Sequence, residues 1–328
     1  MNFYYSHGRT AFKMGLRYLK LKKNDKILMP NYICDVLLDP LNDLEIKPIF
    51  YKIKKDFTCD FKNIEKKFNN SVKALLLVNY FGFEERKQRY LSFCKKKKIY
   101  LIEDSCHSFD LNFKRNKQLS DFVFYSPKKI VSNLYSGGIL RIKNFKRNDE
   151  ILNKKLIFYK IGLYEYINSF FENNLLVFKR FLKYKFFKKP EFSKLNSIKS
   201  KKIYKDFFID DFSKYILEKK KFNKLQKKRL KNYTIWKNLC KKNKFIKIIE
   251  RNSSKKKIPW LLPVFVNNSK LRKKIFNFGW KNGFSIISWP TLPKQLVNKE
   301  NKKIWSKLVC FETDRAPNNQ NIDFDIYK

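Results

Sequence analysis

At 328 residues the chain can bury one large core or two moderate ones without disulfide or metal staples. Its formal net charge of +46 comes from 75 Lys and Arg against 29 Asp and Glu; Lys outnumbers Arg 63 to 12 and there are only three Ala, the bias an AT-rich genome imposes at tolerant surface positions. A nucleic-acid reader would use the planar fork of Arg, and the lysines run from end to end without one dense stripe, so specific nucleic-acid binding is not expected and membrane contact is at most peripheral.

Six cysteines without a CxxC pair and only two histidines argue against a zinc site. Met1 does not lead into a basic start and an apolar run, and no apolar segment has the ~18 residues of a membrane span. The expectation is a cytoplasmic protein with free thiols.

In chain order, apolar spacing predicts a helix over Thr10 to Leu21, then a short strand from Lys26 to Met29 closed by Pro30. A helix with a kink at Pro40 is predicted for Cys34 to Leu44, a strand for Lys47 to Ile53 and a short helix near Ile64 to Phe68. Ala74 to Val78 and Ile99 to Ile102 are continuous apolar runs of strand length, separated by a polar helix from Glu85 to Lys97. Such runs suit strands covered on both faces, as in a parallel sheet with helical crossovers. Phe122 to Tyr125 and Gly138 to Ile142 add two strands.

Beyond Arg147 the pattern changes, first to a Phe-, Tyr- and Lys-rich stretch with helical spacing over 151–190. Within it, Phe178 to Phe187 interleaves basic and aromatic residues as an interfacial helix would. A long helix is predicted over Asp211 to Cys240, strands over Pro259 to Val266 and Phe284 to Trp289, and a helix over Leu271 to Phe278. The fold class is α/β: a large domain over 1–195, with a mostly parallel sheet and helices on both faces, and a long helix with a small α+β domain over 196–328.

Ligands of open α/β sheets sit at the carboxyl ends of the strands, and four segments meet there. Ser6 to Thr10 opens the first helix, where backbone N–H groups and the helix dipole suit a phosphate or simply start a helix. Asp104 ends an apolar strand, where a carboxylate pairs with a cationic ring nitrogen or caps a turn, and His107 follows it closely. Lys128 and Lys129 follow the strand Phe122 to Tyr125; a lysine there is partly desolvated, which suits Schiff-base chemistry, but only position separates this pair from the other lysines. Tyr32, in Pro30-Asn31-Tyr32-Ile33-Cys34-Asp35, can stack on a flat ring or be half-buried.

Taken in order with Asn79-Tyr80-Phe81-Gly82 and Gly137-Gly138, these motifs resemble the DegT/DnrJ/EryC1/StrS family of sugar aminotransferases, of the aspartate-aminotransferase fold type. The resemblance covers residues 4–145 well and continues more loosely through Arg229 to Tyr233, Pro259 to Val266 and Trp289-Pro290. It implies pyridoxal 5'-phosphate held by Lys129, which also shuttles the proton. Asp104 would pair with the pyridinium nitrogen and His107 would sit beside the ring hydroxyl. Tyr32 would stack on the ring, and Gly8, Arg9, Thr10 and Ser126 would hold the phosphate.

Three departures stand out. Lysines are doubled at 128 and 129. Phe124 occupies the place of a serine five residues before the lysine, so Ser126 substitutes for it. The N-terminal segment is short. The resemblance further implies a homodimer and amino transfer from a donor such as glutamate to a nucleotide-linked keto sugar, for surface polysaccharide or other amino-sugar synthesis. A non-catalytic relative serving as scaffold or sugar-binding protein is the alternative.

Overall fold

A computed structural model describes residues 1–110, 118–143, 157–162, 206–219, 221–251 and 257–317, with isolated positions between. The large sheet contains β1 (Asn2–Tyr5), β2 (Lys26–Pro30), β3 (Lys47–Tyr51), β4 (Val72–Val78), β5 (Tyr100–Asp104), β7 (Phe122–Tyr125) and β8 (Gly138–Ile142). Two short strands, β9 (Ile157–Phe158) and β10 (Phe207–Phe208), complete it in the order β3-β2-β4-β5-β7-β8-β1-β10-β9. From β3 to β7 all neighbours are parallel, whereas β8 runs antiparallel to both β7 and β1.

The apolar runs explain the parallel part. In Val72–Val78 only Lys73 is exposed, so the strand is covered on both faces by helices. The helix Gly8–Tyr18 covers one face and buries Ala11, Phe12, Met14 and Leu16. Gly15 lets it lie close, because a Cβ there would meet the Phe122 ring at 2.6 Å. The helices Phe61–Lys67 and Lys87–Lys97 cover the opposite face, where Phe61, Ile64, Tyr90 and Phe93 close a core around Leu75, Leu77 and Leu101.

The small sheet has the order β11 (Ile246–Ile248), β13 (Leu261–Val266), β15 (Leu308–Glu312), β14 (Ile286–Ile287). It packs on the helices Asn223–Lys241 and Ser269–Lys281 through Trp236, Leu239, Leu271 and Ile275. A further two-stranded sheet joins β6 (Ser108–Asp110) to β12 (Lys257–Pro259) and ties the two parts together.

Three expectations change. The helix predicted over Asp211 to Cys240 is two helices, Asp211–Lys219 and Asn223–Lys241. Between them Phe222 leaves helical geometry and buries its ring edge-on against Phe109. The strand predicted over Pro259 to Val266 divides at Trp260, with Pro259 pairing to β6 and Leu261 entering the small sheet. The large sheet takes a strand, Phe207–Phe208, from beyond residue 195, and the expected domain division there falls among residues mostly outside the described set. The stretch 178–187 also lies outside it, apart from Leu182 and Phe186.

Candidate active site

The carboxyl ends of β2, β4, β5 and β7 open onto one cleft enclosing about 620 Å³ of empty space, its mouth included. Gly8, Arg9, Asp104, His107, Ser126 and Lys129 all line it. Segments from five places in the first 129 residues are therefore brought together, because parallel strands deliver their carboxyl ends to one side.

One end of the cleft is an anion cradle. The helix Gly8–Tyr18 begins here with no side-chain cap and no acidic residue in its first turn, so its leading N–H groups and positive dipole end face the cavity. Two glycines make the approach possible. A Cβ at Gly8 would lie 3.2 Å from Cys106 Sγ and 3.3 Å from Ser126 Cβ. A Cβ at Gly138 would lie 2.1 Å from the His7 carbonyl oxygen, so only glycine lets β8 pass behind the turn that starts the helix. His7 Nδ1 is 3.0 Å from Ser6 Oγ, and burial, aided by Arg9 and Lys128, pulls its pKa down to about 4.

The same cleft carries the carboxylate and the amine. Asp104 Oδ1 accepts from Cys106 N at 2.8 Å, and the Asn79 N–H donates to the Asp104 carbonyl at 2.9 Å. Burial raises the Asp104 pKa, while the Lys129 ammonium pulls it back. That ammonium lies 4.7 Å from the centre of the Trp260 ring and within electrostatic reach of the buried carboxylate. Lys128 turns away, and its Nζ donates to the Tyr135 carbonyl at 2.6 Å. Of the doubled lysines, Lys129 is the one that lines the cleft.

His107 is fixed by a strained turn. Phe81 sits in the left-handed region at φ 55°, and its N–H donates to His107 Nδ1 at 3.1 Å. The neutral ring then carries its proton on the other nitrogen, and burial drives the pKa well below 6.5. Trp289 meets the imidazole edge-on at 4.4 Å.

Two predicted residues are not in the cleft lining. Tyr32 is wholly buried; its hydroxyl donates to the Trp289 carbonyl at 3.0 Å and its own carbonyl accepts from Tyr80 at 2.7 Å. It is a strut between β2 and the small domain, and Ile33 and Cys34 line the cleft in its place. Thr10 lies two residues into the helix and is also buried. Sequence reading missed Cys34, Cys106, Trp260 and the cleft-facing role of Trp289. The tryptophans lie more than a hundred residues from Lys129, and only their rarity, five in the chain, could have drawn notice.

The comparisons with known proteins agree with this geometry. The model of the DegT/DnrJ/EryC1/StrS aminotransferase family matches residues 4–177, just over half of the chain. The chain belongs to that family. An uncharacterized protein of Methanocaldococcus jannaschii, MJ1066, is 23% identical over 141 residues, a match covering 41% of this chain and 36% of that protein's length. Among solved structures, NtdA from Bacillus subtilis with bound cofactor PMP superposes with a TM-score of 0.64 at 18% identity, covering 96% of this chain and 70% of that one. PseC of Helicobacter pylori, an aminotransferase involved in the biosynthesis of pseudoaminic acid, gives 0.61 at 16% identity, covering 95% and 81%. Both likenesses show a shared fold.

The cleft also fits the cofactor that an aminotransferase of this family needs. An uncapped helix start with Ser126 beside it suits a phosphate dianion, a buried carboxylate suits a protonated ring nitrogen, and the Lys129 amine shares the cleft with that carboxylate.

Proposed function

We propose that the chain is a pyridoxal-phosphate-dependent aminotransferase acting on a keto sugar, with the sugar carried on a nucleotide and the amino group drawn from an amino acid such as glutamate. The observation that carries this reading is that Lys129 and Asp104 line one cleft together with an uncapped helix start. When bound there, the cofactor supplies an electron sink for the carbon that loses its proton.

The chain's own residues would do the rest. Gly8, Arg9 and Ser126 would hold the phosphate through N–H, guanidinium and hydroxyl donors. Asp104, buried and therefore poorly screened, would keep the ring nitrogen charged. Lys129 would carry the cofactor between turnovers and move the proton at the reacting carbon once its amine is free. Trp260 would hold that amine in place by its ring face. His107, neutral and oriented by Phe81 N, would donate or accept one hydrogen bond without adding charge. The double thiol wall of Cys34 and Cys106 is protonated, since burial pushes Cys34 up to about 11 and Cys106 well above the ordinary thiol value, so neither competes as a nucleophile.

The test is amino transfer from glutamate to a panel of nucleotide-linked keto sugars, with the Lys129→Ala variant as control. Transfer by the parent chain and none by the variant would support the proposal. Cofactor binding with no transfer to any sugar would instead favour a scaffold or sugar-binding role.

A further inference from the structure

The lysines that look evenly scattered along the sequence are not evenly placed in the fold. In a parallel sheet, helices that cross back from one strand to the next end beside the strand starts. The helix Phe61–Lys67 ends in Lys66 and Lys67, and the helix Lys87–Lys97 ends in Lys95 to Lys97, with Lys98 capping it. These ends are neighbours, for Lys97 Nζ lies 4.9 Å from the Phe68 ring and Phe68 meets Phe93 edge-on. Lys26 and Lys47 are direct partners at the starts of β2 and β3, and Lys22 and Lys23 lie on the turn before them. Lys143 follows the end of β8, which antiparallel pairing brings to the same rim.

Acidic groups on this rim are few and engaged. Asp25 accepts from Lys22 N, Asp43 pairs with Lys13 at 2.9 Å, Glu45 pairs with Lys23 at 2.8 Å, and Asp121 accepts from Leu101 N at 2.8 Å, leaving Glu65 exposed. The segments that follow the strands at the cleft rim are more mixed: Asp35, Asp39, Asp56, Asp60, Glu84 and Glu85 lie there beside Lys52, Lys54, Lys55, Arg86 and Lys87. Helix dipoles account for a lysine or two at each helix end but not for the lysines at the strand starts. Tyr100, 40% exposed, sits in the middle of the basic rim.

We propose that this rim, at the amino ends of the parallel strands and facing away from the cleft, docks the protein on an anionic lipid surface. Lysine favours this partner over nucleic acid: it is a hydrated point charge that follows diffuse negative charge and gives no bidentate grip on phosphates or bases. An exposed tyrosine among lysines matches the headgroup layer, where an amphipathic ring has both its media. The cleft would then face the aqueous side and stay open to substrate. The proposal stands independently of the chemistry assigned to the cleft.

The experiment is co-sedimentation of the full chain with phosphatidylcholine vesicles, with and without phosphatidylserine. The variant Lys66→Gln/Lys67→Gln/Lys95→Gln/Lys96→Gln is compared with Lys270→Gln/Lys273→Gln/Lys281→Gln/Lys302→Gln, which removes the same charge from exposed positions of the small domain. Binding should need phosphatidylserine and weaken roughly fivefold per rim lysine, several hundredfold for four, and much less for the control. Unchanged melting temperatures show that both variants remain folded. Equal loss in the two variants, no binding by the parent chain, or release from vesicles by stoichiometric duplex DNA would each overturn the proposal.

Discussion

At the carboxyl ends of the parallel strands the chain buries its charges; at their amino ends it leaves them in water. Asp104 and His107 are both at most 4% exposed, and each has its protonation shifted mainly by burial. Lys95 to Lys98 and Lys66 to Lys67, at the other rim, are exposed. The same residue type therefore lines a cleft in one place and is a surface charge in the other. The difference lies in what surrounds it. Lys129 has an indole face and a buried carboxylate beside it, whereas a rim lysine has mostly water.

The sharpest way to break the contrast is to remove the single amine. Lys129→Ala should abolish amino transfer, with a loss beyond ~1000-fold, while Lys128→Ala should retain most activity; steady-state kinetics on both variants decides it. Next in size is Gly138→Ala. A Cβ there cannot coexist with the His7 carbonyl, so the start of the first helix must shift; we expect a cost of about 3 kcal/mol or more in denaturant unfolding and loss of phosphate retention. Trp260→Leu should lower kcat by about 5- to 30-fold with little change in KM, the worth of a desolvated cation–π contact, and Trp260→Phe should recover most of it.

Acidity offers a smaller effect. The His7 pKa is about 4 in the folded chain against an ordinary 6.5, so between these values the unfolded chain binds the extra proton. Stability of the cofactor-free chain should fall as the pH drops from about 6.5 to 4, and His7→Asn should flatten that slope in urea titrations. The smallest effect belongs to the basic rim, where the four-glutamine variant should change kcat less than about twofold in the absence of lipid.

How legible this was depended on the range of the interactions. The strands Val72–Val78 and Phe122–Tyr125 could be read because burial on both faces writes a continuous apolar run. The break at Phe222 could not, because the local spacing stays helical and the reason for leaving it is a contact with Phe109, far away in sequence. In the site, Asp104, His107 and Lys129 were visible through motifs held by one local strand end each. Tyr32 carried the same kind of signal, yet its hydroxyl is spent on a carbonyl 257 residues away. Trp260 and Trp289 reach the cleft only through the packing of the small domain. The lysine rim was hidden for a similar reason: its members are scattered in sequence and gathered by topology.

The account turns on Lys129 and Asp104 forming one cofactor pocket, and the 63 lysines make a direct test discriminating. Pyridoxal phosphate is added to the pure chain, the bound cofactor is fixed to its lysine with borohydride, and the labelled peptide is sequenced. The account predicts a stoichiometric label on Lys129, lost in Lys129→Ala and weakened in Asp104→Asn. Label on Lys128, or spread over surface lysines regardless of Asp104, would contradict it.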